Sequence, residues 1–496
     1  MISTELQKAR AYEAEHGAAI PPGQRPVFHL SPRCGWMNDP NGFGIYGGKY
    51  HMFYQYYPYA SHWDSMHWGH AVSSDLLHWE YLPCAMAPDM EYDREGCFSG
   101  SAFPLPDGRH LLMYTGVSFE QLPEGGRQVL QTQNIAVGDG TDYLKYEGNP
   151  VLTAADLPEG GSRADFRDPK IFPLSDGRLC CVVGNRPADD SGQILLYLSD
   201  DGFRWRFWKV LAENRGRFGR MWECPDFFQL DGKWVLLTSP QDMLPEGFEY
   251  HNGNGTLCLT GSFDETTGEF IEETDQSIDY GIDFYAPQTV LTPDGRRVMI
   301  GWMQNWDACA IRMPEASWAG LMSLPRELSL RNGRLYQQPL RELSLLRHGE
   351  LEFHDVPVTG RVRLPGVSGR AAELEIRVRP ADPAAVFHKF AVRFAEDDQF
   401  HTAFSFRPHE GTLKADRKFS GSRRAIVHQR RCLVEHRDGV LSIRLILDRF
   451  SAECFVGEGE QVMSIALYTD TAAEGISFYA DGDAVMDLKF ALLGDS

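Results

Sequence analysis

One hairpin pattern recurs along the first two-thirds of the chain: an apolar run, a short turn containing glycine, and a second apolar run. The turns fall at Gly47-Gly48, Asp107-Gly108, Asp176-Gly177, Asp231-Gly232 and Asp294-Gly295, at intervals of 60, 69, 55 and 63 residues. Asp-Gly and Gly-Gly supply the positive φ angles that a two-residue hairpin turn demands. A sandwich or a barrel also contains many hairpins but does not need this regular spacing. Each interval is long enough for four strands and their loops, so five such units predict a five-bladed β-propeller. Asn332-Gly333, only 38 residues after the last turn, is expected to finish the ring.

The same repeat aligns chemistry. Eight residues before the first turn residue of each unit stand Asp39, Ser99, Asp168, Glu223 and Ala286. Three of these five are carboxylates, and a proline lies one or two residues beyond each carboxylate. If the strand before each turn is the innermost of its blade, equivalent residues meet at the axis of the ring. A single acid near a strand start is usually a solvated cap, but three in register point to a common pocket. Paired carboxylates suit glycoside hydrolysis, one ionised and the other holding a proton for the leaving oxygen. Crowding raises the affinity of at least one of them for a proton, while Arg167 beside Asp168 favours its ionised form. Metal binding is the rival use of clustered acids, but the sequence carries neither an EF-hand loop nor H-E-x-x-H. No metal or cofactor is therefore expected.

The bulk numbers narrow the partners. Asp and Glu total 69 against 48 Lys and Arg, a net charge of −21, which disfavours nucleic acid and anionic membrane. There is no apolar run of 18 residues for a membrane span, and the first residues lack the apolar core of a secretory signal. They read instead as a short helix, with Thr4 and Gln7 at capping-box spacing and Gly17, Pro21 and Pro22 ending it. The 10 cysteines are scattered without a C-x-x-C pair, which suits reduced thiols and a cytoplasmic location. The aromatic load, 11 Trp and 19 Tyr, serves core packing first and sugar-binding faces second.

At the acidic positions the sequence resembles a known family. Trp36-Met37-Asn38-Asp39-Pro40-Asn41-Gly42, Arg167-Asp168-Pro169 and Glu223-Cys224-Pro225 match, in order, three motifs of glycoside hydrolase family 32, which contains invertases, fructanases and sucrose-6-phosphate hydrolases. Tyr54-Gln55-Tyr56-Tyr57-Pro58, Trp68-Gly69-His70-Ala71, Phe98-Ser99-Gly100-Ser101 and Leu324-Pro325-Arg326-Glu327-Leu328 agree as well. The resemblance implies a retaining β-fructofuranosidase acting on sucrose, sucrose-6-phosphate or short fructooligosaccharides. Asp39 then attacks the anomeric carbon, Glu223 is the acid and base, and Asp168 stabilises the transition state. Asn38, Gln55, Trp63, Phe98, Ser99 and Arg167 line the subsite. Each neighbour also has a plain structural use. Asn38 can form an Asx-turn, Arg167 an ion pair, and Trp63, Trp302 and Trp318 can be core. Cys224 is expected to be packed rather than nucleophilic. His62, Arg94 and Arg220 are the candidates for holding a 6-phosphate.

From about residue 360 the pattern becomes alternating strands separated by glycine turns, which predicts a β-sandwich without catalytic residues. The expected layout is an N-terminal helix and lead-in over 1–24, the propeller over 25–338, a linker over 339–359 and the sandwich over 360–496. Partners are a small carbohydrate and no nucleic acid or membrane, with homo-oligomerisation left open. The competing readings are a fructosyltransferase, an inverting five-bladed enzyme acting on pentosides, and a non-catalytic carbohydrate-binding propeller.

Overall fold

The computed structural model describes residues 2–122, 125–309, 316–421 and 427–494. Five antiparallel sheets form a propeller. Their inner strands are Gly35–Tyr46, Gly96–Pro104, Phe166–Pro173, Trp222–Leu230 and Tyr285–Leu291. Each inner strand pairs with the strand beyond its hairpin turn, and two further strands complete the blade outward. In blade five these outer strands, Arg326–Arg331 and Arg334–Pro339, turn at Asn332-Gly333 as expected. The ring is closed by Trp318–Ala319, which pairs in parallel with Gly35 and Trp36 at the start of blade one.

Blades stack face to face, so their middle strands are buried on both sides. This is why Leu179–Val183 reads as an unbroken apolar run rather than an alternation. Ile171, Cys181, Val183 and Tyr197 of blade three meet Leu111 and Met113 of blade two. Phe172, Leu196, Phe227, Trp234 and Leu259 fill the joint between blades three and four. Each such side chain contributes roughly 1.5–3 kcal/mol by leaving water. Trp302 and Trp318 are fully buried core residues.

The turns are of two kinds, and the difference matters. Gly47-Gly48, Asp231-Gly232 and Asn332-Gly333 are two-residue turns with both φ values positive. At Asp107-Gly108, Asp176-Gly177 and Asp294-Gly295 only the glycine has positive φ. There the ladder is extended by Leu105, Leu174 and Thr292 donating to the carbonyls of Arg109, Arg178 and Arg296, which leaves three-residue loops. Counting back from the turn therefore misaligns the blades.

A second landmark realigns them. Every inner strand shifts register once near its start, between Met37 and Pro40, Phe98 and Gly100, Arg167 and Lys170, Glu223 and Asp226, and Tyr285 and Gln288. These are β-bulges, which re-aim side chains that regular pleating would turn away. By this landmark Asp168, Cys224 and Ala286 each open their bulge, Ser99 is the single residue of its own, and Asp39 comes second, after Asn38, because the bulge of blade one sits one residue earlier. Asp168, Cys224 and Ala286 all have positive φ (67°, 49° and 50°). Glu223 stands at the last paired position before its bulge, with Phe98, Arg167 and Tyr285. The expectation that all three acids occupy one equivalent position is thus corrected. Blade four has a two-residue turn, whereas blade one offsets its own short turn with a second bulge between Asn41 and Gly44.

Two further expectations change. The N-terminal helix spans Thr4–Ala18, but Ser3 caps it, accepting from Leu6 N, and Gln7 bonds the Ile2 carbonyl instead of completing a capping box. The segment expected as a linker is largely ordered structure: Arg341–Leu346 is a 3₁₀ turn, and Arg347–Val362 is a strand of the second domain. That strand runs beside the last one, Gly475–Leu493, which also pairs with Ala372–Pro380 and Lys389–Glu396. The sheet thereby folds over a core of Leu374, Ile376, Phe390, Val392, Phe478 and Phe490, a sandwich-like arrangement.

The two domains are joined by buried charge. Arg326 is fully buried, donating to Asp279 (2.9 Å) and to Glu453 (3.0 Å) and lying over Phe284. His29 bridges Asp448 (2.9 Å) and Glu453 (3.0 Å) of the sandwich. Among the described residues no helix is long and apolar enough to cross a membrane.

Candidate active site

The five bulges bring their side chains to one end of the ring axis. Asp39 Oδ2 accepts from Ser99 Oγ at 2.8 Å and from the Cys224 thiol at 3.5 Å. The same thiol lies 3.6 Å from Asp168 Oδ2, which also accepts the Cys224 N–H at 2.9 Å. Blades one, two, three and four thus meet around two carboxylates. Asp168 is fixed from behind: its N–H donates to Thr115 Oγ1 (2.9 Å), whose hydroxyl in turn donates to Gln133 (2.8 Å). Among the described residues, Asp39 Oδ1 has no hydrogen-bond partner.

Glu223 is held by a different set. Arg167 Nε donates to Oε1 at 2.9 Å, while Gln241 Nε2 (2.8 Å) and Tyr285 Oη (2.7 Å) both donate to Oε2. Arg167 is itself oriented by Asp165 at 2.8 Å, which also receives Arg186. Charge-assisted bonds of this length fix a carboxylate more firmly than neutral ones.

Burial and mutual repulsion set the protonation of this cluster. Burial, reinforced by the Glu223 charge and only partly offset by the Ser99 hydroxyl, pushes Asp39 up to about 6. Asp168 is pushed up to about 7 by burial and Glu223, against the pull of Arg167. Burial drives the Cys224 thiol well above its usual range, and the neighbouring Asp168 and Asp39 charges add to this, so it is a neutral donor and not a nucleophile.

The remaining expected residues divide. Asn38 Oδ1 accepts from Trp36 Nε1 (2.8 Å), and Gln55 donates to the Cys97 carbonyl (3.0 Å), so both are buried and positioned by the inner strands. Phe98 packs edge-on against Trp63, with ring centroids 5.9 Å apart, and Trp63 is 44% exposed, an aromatic face open at the rim. Of the phosphate candidates, Arg94 pairs with Glu91 on the surface. His62 contacts the Trp63 carbonyl, and Arg220 follows the chain into the Gln241 backbone next to Glu223.

The residues match a known family along almost their whole length. The model of the glycosyl hydrolases family 32 N-terminal domain matches residues 29–339, and that of the family 32 C-terminal domain matches 342–491. The chain belongs to glycosyl hydrolase family 32. Among its relatives, a raffinose invertase of Escherichia coli is 38% identical, with 93% of each chain covered. A sucrose-6-phosphate hydrolase of the same organism is 35% identical over the same shares. A Bombyx mori GH32 beta-fructofuranosidase mutant, solved in complex with sucrose, superimposes with a TM-score of 0.84 at 35% identity, covering 100% of this chain and 99% of its own.

Three site residues of this family 32 chain escaped sequence reasoning. Tyr285 was within reach, because it precedes Ala286-Pro287 as Arg167 precedes Asp168-Pro169. Gln241 carries no signal, since it enters from just beyond the second strand of blade four, Lys233–Pro240. Cys224 reads from the sequence as packing alone, and its place between two acids follows from the bulge that it opens.

Proposed function

We propose that this family 32 glycoside hydrolase is a retaining β-fructofuranosidase that hydrolyses sucrose-type substrates through a covalent fructosyl-enzyme intermediate. The observation that carries this is the unlike treatment of two neighbouring carboxylates. Asp39 keeps one oxygen without a partner among the described residues, as a nucleophile needs, while both Glu223 oxygens are oriented by donors, as a carboxyl that passes its own proton to a leaving group needs. Asp39 attacks the anomeric carbon of the fructosyl unit as Glu223 protonates the departing oxygen. Glu223 then takes a proton from water, which releases fructose with its configuration retained. Asp168, held by Thr115 and Cys224, accepts from fructose hydroxyls and stabilises the charge that develops on the ring. Trp63 and Phe98 offer the flat apolar wall, Asn38 and Gln55 line the fructose subsite beside them, and Ser99 and Arg167, which also face it, set the positions of Asp39 and Glu223.

The relatives' names, an invertase and a sucrose-6-phosphate hydrolase, support sucrose or its 6-phosphate as the substrate. Free thiols at all 10 cysteines support work in a reducing compartment, and we assign the cytoplasm. Turnover of sucrose and sucrose-6-phosphate, followed by NMR of the first fructose anomer released, tests the reading. β-Fructose is expected. α-Fructose as first product would replace it with an inverting mechanism. Asp39→Asn is expected to lower kcat on the order of 10⁴-fold or more while leaving sugar binding in place.

A further inference from the structure

The axial channel has a second end. The inner strands run from the carboxylates toward the hairpin turns, and at the turn end they enclose a cavity of about 660 Å³. All five blades contribute to its wall, among them Phe43, Phe103, Lys170, Asp226, Phe228 and Arg297. A polar layer separates it from the acidic site. Gln288 donates to the Gly100 carbonyl (2.8 Å) and accepts from Phe43 N (3.1 Å), while Asn41 accepts from Gly100 N (3.3 Å).

The cations in this wall are poorly satisfied. Lys170 is buried, yet among the described residues its ammonium reaches only Asp226 and the Thr289 carbonyl, both at 3.3 Å. Arg297 donates at 3.5 Å to Thr289 Oγ1 and lies over Phe228, and its buried Nε has no partner among the described residues. The one inner acid, Asp226, already accepts the Thr289 N–H at 2.6 Å through the oxygen that faces Lys170. The other wall acid, Glu265, accepts from Ser175 at the exposed edge. Two desolvated cations thus share one carboxylate, and desolvated donors left unfilled are costly. Burial lowers the proton affinity of both Lys170 and Arg297, as expected where too little negative charge compensates them.

We propose that this cavity binds a small oxyanion, a phosphate or carboxylate group, between Lys170 and Arg297, with any attached carbon skeleton against Phe43 and Phe103. The site lies on the ring axis but apart from the acidic pocket, so its occupancy braces the inner strands of blades three, four and five from behind. Calorimetric titration of the full chain with inorganic phosphate, and separately with citrate, distinguishes the two anion sources. Binding of at least one is expected, weakened by about tenfold or more in Arg297→Met and partly kept in Arg297→Lys. Equal affinity in Arg297→Met, or no binding of either anion to the wild type, overturns the site. Should Arg297→Met fail to fold, wild-type crystals soaked in selenate decide. An anomalous peak between Arg297 and Lys170 supports the proposal, and a cavity without one refutes it.

Discussion

Asp39 has two oxygens in unlike surroundings, and its behaviour with pH follows from them. Its proton affinity is raised from the ordinary 3.8 to about 6, so it neutralises as pH falls through that value. As the proposed nucleophile, Asp39 must be ionised, and so must Asp168 to stabilise the developing charge. The kcat/KM of the free enzyme is therefore expected to fall first through about pH 7 with Asp168 and more steeply below about pH 6 with Asp39. A limb that stays near pH 4 would mean that water or substrate relieves the burial. Ser99→Ala removes a donor to Asp39 and should move this limb upward. Tyr285 acts through Glu223 and is a positioning residue. Tyr285→Phe is expected to lower kcat by about tenfold with KM within about twofold, since one charge-assisted bond is worth roughly 1.5–3 kcal/mol. A KM effect as large as the kcat effect would instead point to lost packing. The acids were legible in the sequence because each belongs to a local motif. Their partners were not, because Gln241, which donates to Glu223, and Thr115, which accepts the Asp168 N–H, come from neighbouring segments of the blades that only the folded sheet brings alongside.

At the level of strands and turns, the five hairpins announced the propeller, since Gly-containing turns at wide, regular spacing leave few other all-β solutions. What the sequence could not reveal was which turns spend two residues and which three. That choice moved Glu223 one place off the other acids. Bulges leave no mark in composition, although Asp-Pro, Cys-Pro and Ala-Pro at their sites are consistent with proline's exclusion from regular ladders. The connector reading failed over Arg347–Val362 because the strand is half solvated and interrupted by bulges, so its alternation is broken. The two kinds of turn make a stability prediction. Asn332 has φ 53°, a conformation that β-branched residues avoid. Asn332→Val is therefore expected to cost about 1–2 kcal/mol, seen as a lower melting midpoint, whereas Asp176→Val should cost much less. Equal effects would show that the strain lies elsewhere.

Across the whole molecule, His29 connects the lead-in segment to the sandwich. Burial opposes its protonation, but Asp448 and Glu453 overcome this and raise it from 6.5 to about 9. Because the folded value lies above the unfolded one, this contribution is complete below pH 6.5 and disappears as pH rises through 9. The wild type should thus lose on the order of 3 kcal/mol of stability between those limits, and His29→Gln should lack that slope in a melting series. A parallel slope in both proteins would assign the loss to other groups. The same region carries a consequence for synthesis. The strand bearing Asp39 is paired at its start with Trp318–Ala319, and the backbone just before it, at Val27, Phe28 and His29, is held by Asp448. A chain leaving the ribosome folds from its beginning. Here the first blade cannot be clamped until residue 319 has emerged, and its lead-in cannot be seated until residue 448 follows. The nascent polypeptide therefore carries Asp39 in an unfinished ring until about 400 further residues have been made, and the proposed competence for hydrolysis waits on them.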